Sequence, residues 1–429
     1  MIQKLKKILK GKVARNASWL IFGRIIQMIL SLFVGILSAR YLGPENYGLI
    51  SYVSAYTTFF MCFCTLGINS VLVKEILDHK DDEGLVLGTN FVLRLISSFF
   101  SSAAIVLIVS IVDKGESNTF IISVILGIGL IVNVFDSIQY WFQAKLRSKY
   151  VAMATLLAYV LVAAYRIVLL ILNKSVFYFA FATVLDYLLL AGFLFFQYFR
   201  QEGQPFRFSR KYARELLLKS RAFILPSLMV AIYSQTDHIM LKQMIGESEN
   251  GYYAIAVNVC NMWCFVLSAI IESFAPTIIE AYKNNVAEFN KKNRQLYCLV
   301  FYICLAVSLA FMVLASPVIS ILYGEAYLGS VNPLRIVTWY TAFSYLGVAR
   351  DVWVVCKERQ KYLLPIYVVS AVLNVILNFV FIPLWGASGA AAASLITQFI
   401  TIFGVPFCIK NMRENSLLIL DAIFFRDVF

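Results

Sequence analysis

The chain of 429 residues is 61% hydrophobic and 14% charged, with a mean hydropathy of +0.78 and a formal net charge of +13. Those proportions exclude a soluble globular domain and place the chain in a membrane. With charged residues this sparse, the excess of basic groups reads as a membrane-surface charge facing anionic lipid, and nucleic acid need not be invoked.

Apolar runs of roughly 20 residues, each long enough to cross a hydrocarbon core of about 30 Å, recur along the chain. In chain order they cover about 17–39, 48–72, 89–112, 119–143, 151–172, 176–199, 217–241, 251–276, 295–322, 333–356, 362–383 and 388–410. The expected fold is therefore an all-α integral membrane protein of twelve transmembrane helices, since lipid-facing backbone must satisfy its own hydrogen bonds and the ten-residue alternation of barrel strands is absent. The basic start "MIQKLKKILKGK" resembles a signal sequence, but the apolar run behind it is too long and further spans follow, so it reads as an uncleaved first helix.

Lys and Arg set the orientation. They gather before the first run and in alternate connections after it, whereas the opposite loops carry Lys114, Lys174 and Lys242. Both termini are expected in the cytoplasm. The eight Cys form no CxxC pair and sit in apolar segments, as small core hydrophobes do.

The phrase W-x3-K-x-R-x-K-Y occurs twice, in "WFQAKLRSKY" at 141–150 and "WVVCKERQKY" at 353–362, and "LGPENYG" at 42–48 is echoed by "IGESENG" at 245–251. Each echo recurs after six spans. An even number of crossings gives two parallel six-helix repeats, a design that in transporters rocks one half against the other. The expected divisions are an N-terminal bundle at 1–199, a basic linker at 200–216, a C-terminal bundle at 217–410 and a cytoplasmic or interfacial tail at 411–429.

Polar residues inside the spans carry the functional expectation, because ionisable groups there are costly. Gln27 and Ser31 continue a stripe from Arg24 in the first span, Asn90 and Arg94 share a face of the third, Asn258, Asn261 and Glu272 align on the eighth, and Asn374 and Asn378 on the eleventh. Such stripes suit either a water-filled cavity or hydrogen-bonded helix contacts. Arg24, Arg94 and Arg350 lie at a similar depth, about 10 Å from the cytoplasmic end of their spans, and forked guanidinium groups suit a phosphate anion. Asp136 and Asp351 occupy the same layer, so internal salt bridging is the competing reading. Asp136, Asp186, Asp237 and Glu272 are the candidates for carrying a coupling ion; Asp186 and Asp237 could instead pair with Arg166.

The block of Asn16, Trp19, Gly23, "ARYLGPENYG" at 39–48, Leu66 and Gly67 resembles the start of the bacterial polysaccharide repeat-unit flippases. These are Wzx-type members of the superfamily that also holds the multidrug MATE exporters and the lipid II flippase. "YWFQAKLRSKY", the segment 237–251 and the twelve-span layout extend the resemblance over nearly the whole chain. It implies a MATE-like fold in the bacterial inner membrane and translocation of an undecaprenyl-diphosphate-linked oligosaccharide to the outer leaflet, for O-antigen, capsule or exopolysaccharide. It further implies membrane lipid as surroundings, H+ or Na+ as a coupling ion, polymerase or glycosyltransferase partners, and no cofactor.

A MATE-like cation-coupled drug antiporter is the alternative, disfavoured by Arg24 in the first span. An enzyme would need catalytic groups on a sizeable loop, and there are only two His. Asp81 and Asp82 in "HKDDEG" read as a solvated acidic loop rather than a metal site. No GK[ST] loop marks a nucleotide-driven pump.

Overall fold

The computed structural model describes residues 12–426, with side chains described at Gln27 and from residue 30 onward. It is all helix. A first helical stretch, Lys12–Thr65, is broken at Gly43, which takes φ 70 and ψ 171. Only glycine occupies that conformation without strain, and Pro44 follows at the first position of the new helix, where its missing N–H costs nothing. The arms 12–42 and 44–65 are α1 and α2. Then follow α3 (Asn69–Asp78), α4 (Glu83–Val112), α5 (Ser117–Asn133), a 3₁₀ turn (Val134–Ser137), α6 (Ile138–Ala144), α7 (Ser148–Ile171), α8 (Val176–Arg200) and α9 (Arg210–Met244). The chain continues through α10 (Glu247–Asn284), α11 (Val286–Tyr323), α12 (Val331–Cys356), α13 (Leu363–Trp385), α14 (Ala387–Phe399), a π turn (Ile400–Gly404), α15 (Val405–Cys408) and α16 (Lys410–Ile423).

Ten helices among the described residues are long and apolar enough to cross a membrane. One of them, Leu30–Asp78, contains the break at Gly43, and the 26-residue α12, whose apolar run is interrupted by charged residues and by Tyr, Trp, Thr and Ser, stands outside the ten. Ten such helices, one of them broken, give an all-α multi-span fold of about 10–12 crossing helices. The helices leave Phe100, Ile171, Val313 and Phe379 more than two-thirds exposed, as side chains solvated by lipid tails can be.

The helices cluster into two compact units, one of Met1–Tyr41 with Val53–Leu228 and the other of Leu42–Tyr52 with Met229–Phe429. The division falls within α9 two residues beyond Pro226, where the ring removes a helical hydrogen bond. The first unit is centred on Leu72, Val86, Ile138 and Phe142, the second on Leu296, Leu346, Trp353 and Ile402. The chain's end joins the second core. Met412, Ile419 and Ala422 of α16 are fully buried, Asn415 donates to the Tyr297 hydroxyl at 2.6 Å, and the Tyr302 hydroxyl donates to the Ile423 carbonyl at 2.8 Å.

The repeated phrase folds the same way twice. In the first copy the Leu146 N–H donates to the Gln143 carbonyl and the Arg147 N–H to that of Phe142; in the second the Glu358 N–H donates to Val355 and the Arg359 N–H to Val354. These paired bonds define a Schellman ending, and it places a residue in the left-handed region at the same point, Leu146 at φ 53 and Glu358 at φ 54. The Lys of each copy lies over the Trp ring, at 5.8 Å for Lys145 and 5.9 Å for Lys357. From there it reaches a carboxylate on another helix, Glu83 in the first case and Glu414 in the second. Trp141 adds a bond from its indole N–H to Glu83 at 2.7 Å.

The glycine echo has its own use inside the second unit. A Cβ on Gly48 would sit 1.8 Å from the Glu247 carbonyl oxygen, and one on Gly251 would sit 2.1 Å from that of Pro44. Since 44 stands to 247 as 48 stands to 251, α2 and α10 meet reciprocally, each through its second glycine. Asn250 seals the contact by donating to the Gly48 carbonyl at 2.7 Å.

Candidate functional site

A carboxylate inside a membrane protein is unfavourable by several kcal/mol unless donors converge on it. In the second unit they do so around Asp237 of α9, which is 2% exposed. Its oxygens accept from the Tyr253 hydroxyl of α10 at 2.5 Å, from the side-chain amides of Asn378 at 2.6 Å and Asn374 at 3.2 Å on α13, and from the Ser394 hydroxyl of α14. Asn374 and Asn378 present one face because they are four residues apart on a helix, and Asn378 also donates to the Asn374 amide oxygen at 3.1 Å. Beside them the His238 Nδ1 meets the Asn250 amide oxygen at 2.7 Å, and the His238 ring lies edge-on to Tyr253 at 5.1 Å.

All four groups bonded to Asp237 are uncharged, and among the described residues it makes no ion pair. Dipoles rather than a countercharge surround the carboxyl group. Such a site can take a proton onto the carboxylate, or a hard monovalent cation among the oxygens of Asp237, Tyr253, Ser394 and the asparagines. The amide oxygen of Asn378 is buried and without a hydrogen-bond partner, so rotating that amide would supply a further oxygen donor.

The structure thus brings together three residues singled out from sequence, Asp237, Asn374 and Asn378. The others lie elsewhere. Asn258, Asn261 and Glu272 are exposed along α10, with Asn258 donating to the Tyr47 hydroxyl at 2.7 Å. Arg94 is fully buried in the first unit, bonded to Asp136 at 3.1 Å and to Asn69 at 3.3 Å, while Asn90 donates to the Ser137 hydroxyl at 2.9 Å. This α4 stripe closes on the 3₁₀ turn that carries Asp136. Arg350 is 1% exposed in the second unit; it donates to the Thr401 carbonyl in the π turn at 3.4 Å and lies 3.9 Å from Asp351. Each buried arginine is therefore met by an irregular turn of its own unit, where backbone groups leave the helical ladder.

Gln27 comes within hydrogen-bonding reach of the Tyr159 hydroxyl. Ser31 and Asp186 line a chamber in the first unit together with Arg166, yet neither Asp186 nor Asp237 forms an ion pair with Arg166. Arg24, with Asn16, Trp19 and Gly23, lies outside the described side chains. Asp82 pairs with Arg207 at 2.7 Å, and no cluster of three metal-binding side chains occurs among the described residues. Sequence does not single out Ser394, because a serine in an apolar run ordinarily bonds the preceding helical turn, nor Tyr253, one of 24 tyrosines in the chain.

Three comparisons bear on this arrangement. A family profile described as "Polysaccharide biosynthesis protein" matches residues 13–282. The capsular polysaccharide biosynthesis protein CapF of Staphylococcus aureus is 18% identical over 409 residues, 93% of this chain and 100% of CapF. Among solved structures, the lipid II flippase MurJ in an inward closed conformation superposes with a TM-score of 0.71 at 14% identity, covering 96% of this chain and 91% of MurJ. A multidrug resistance MATE family transporter of the MOP superfamily, inward-facing, superposes with a TM-score of 0.67 at 18% identity, covering 91% of this chain and 95% of that one.

Proposed function

Since the chain belongs to the polysaccharide biosynthesis protein family and has the multi-pass fold of MOP-superfamily transporters rather than that of an enzyme, we propose that it is a flippase for a lipid-linked oligosaccharide. The cargo is an undecaprenyl-diphosphate-linked repeat unit. It moves by alternating access from the cytoplasmic to the outer leaflet of the bacterial inner membrane, with both termini of the protein cytoplasmic. The product feeds O-antigen, capsule or exopolysaccharide assembly, and polymerase or glycosyltransferase partners act on either side of the step.

The observation that carries this reading is the family match over residues 13–282 of a chain built from membrane-length helices. A polysaccharide protein of that kind meets its glycan where the glycan is joined to lipid. Asp237 supplies the coupling element, taking H+ or Na+ as a co-transported ion and releasing it when Asn374, Asn378, Ser394 and Tyr253 shift. Arg24, Arg94 and Arg350 remain assigned to the diphosphate. For Arg94 and Arg350 that assignment requires the guanidinium to exchange Asp136 or the Thr401 carbonyl for phosphate oxygens. The exposed Asn258 and Asn261, with Gln27, Ser31 and Asn90, are assigned to the sugar path.

Reconstitution into vesicles tests the reading. Protein that moves a fluorescent lipid-linked oligosaccharide between leaflets supports it. Protein that leaves this lipid in place and exports cationic dyes sends the account to the drug antiporter, the reading that the MATE likeness keeps open.

A further inference from the structure

The first unit holds a partly open chamber of about 240 Å³ between α1, α7 and α8. Its polar lining is Ser31 of α1, Tyr159 and Arg166 of α7, and Thr183, Asp186 and Tyr187 of α8. Two of these side chains are charged, and their state is unusual. The Arg166 Nε is buried without a hydrogen-bond partner, and neither Arg166 nor Asp186 makes an ion pair or a hydrogen bond among the described residues. They face the same space without touching.

Burial of opposite charges within a membrane is tolerated when they neutralise each other at close range. Here both are half-buried around a polar cavity without pairing, and the Arg166 Nε is left unsatisfied, while Arg94 and Asp136 in the same unit show what a closed pair looks like at 3.1 Å. A third group set between Arg166 and Asp186 would satisfy both. Arg166 calls for an oxyanion, because its planar fork matches carboxylate or phosphate. Asp186 calls for donors, and two neighbouring hydroxyls of a sugar can bond its two oxygens. Ser31, Thr183 and the Tyr hydroxyls provide further partners, and the Tyr rings offer faces for the C–H side of a sugar. The volume lies below the range of about 300–1,000 Å³ typical of drug-sized pockets and suits one sugar ring.

We infer that this chamber is a recognition pocket for a hydroxylated oxyanion, a sugar carrying a carboxylate or a phosphate. The oxyanion is held by Arg166 and the adjacent hydroxyls by Asp186. The inference rests on the polysaccharide reading above and deepens it by assigning an acidic sugar group to a site in the first unit, separate from Asp237.

Calorimetric titration of the full chain in lipid nanodiscs tests the pocket with three probes: glucuronate, glucose 1-phosphate and glucose. At least one anion should bind about tenfold more tightly than glucose, and Arg166→Gln and Asp186→Asn should each abolish that preference. Glucuronate alone would identify a sugar acid within the glycan, and glucose 1-phosphate alone the phosphorylated sugar at the lipid link. Thr183→Met, which fills the chamber without touching its charges, should also block binding, and thermal unfolding in nanodiscs checks that each variant is folded. Wild-type protein that ignores both anions, or folded Arg166→Gln protein that binds them as wild type does, overturns the inference. A flipping assay on the same preparation separates the two levels. Translocation without anion binding removes the pocket and leaves the flippase, whereas anion binding without translocation keeps the pocket and removes the flippase.

Discussion

Asn378 donates its side-chain amide to Asp237 at 2.6 Å, and the same residue leaves its amide oxygen buried and unbonded. One side chain thus donates to the carboxyl group and keeps a second, unused oxygen beside it. Replacing Asp237 by Asn keeps the shape and removes the charge. Translocation by Asp237→Asn protein should lose its response to an imposed Na+ or pH gradient, with a fall of about 5- to 150-fold, the span of coupling energies of about 1–3 kcal/mol. Vesicle assays with each gradient in turn read this out, and an undiminished gradient response would remove Asp237 from the coupling step.

Asn378→Ala takes one donor from a buried carboxylate that has no countercharge. Loss of such a bond costs about 1–3 kcal/mol. The variant should unfold at lower temperature than wild type in matched detergent. Asn261→Ala, at an exposed position on α10, should unfold with the wild type.

The ion pair of Arg94 and Asp136 yields a separable expectation. Arg94→Ala leaves Asp136 without its partner and should destabilise by about 3–5 kcal/mol, whereas Arg94→Met with Asp136→Leu should recover most of that loss. If the double variant folds and still cannot translocate, the arginine serves the cargo as well as the fold. A double variant that folds and translocates normally would confine Arg94 to structure.

Much of this architecture is written in the sequence, and the exceptions have physical reasons. Hydropathy marks the long helices because a lipid-facing surface tolerates nothing else. It marks α12 least well, since Arg350 and Asp351 interrupt its apolar run and Arg350 is met there by Thr401, 51 residues away along the chain. The i, i+4 spacing of Asn374 and Asn378 announces a shared polar face, and Asp237 is conspicuous as an acid among apolar neighbours. Ser394 is silent because "ASGAAAASLI" contains two serines and only the fold turns one of them toward Asp237. The echo of "LGPENYG" and "IGESENG" is legible as a repeat, but its reciprocal contact is not, since a sequence pattern carries no record of which backbone comes to within reach of a missing Cβ. Whether the acid at 136 meets Arg94, Arg350 or a ligand likewise depends on packing between helices distant in the chain.

The reciprocal glycines can be tested by adding a methyl group. Gly48→Ala and Gly251→Ala each place a Cβ against a backbone carbonyl that cannot swing aside, and each should destabilise by about 1–3 kcal/mol or more. Gly35→Ala, where nothing lies within 4 Å, should be neutral or slightly stabilising. Thermal unfolding of the three variants side by side decides this.

Leu146 and Glu358 hold left-handed backbone that costs a residue with a Cβ about 1–2 kcal/mol. Gly at either position should raise the unfolding temperature, less the entropy that glycine loses on folding. A fall on both substitutions would show that the side chains contribute more than the strain they bear.

The most direct measurement is the leaflet location of lipid-linked repeat units in cells depleted of this protein, made with a probe that reaches only the outer leaflet. The account expects the units to accumulate and stay hidden from the probe. Units that accumulate within its reach would place the block after translocation and contradict the flippase.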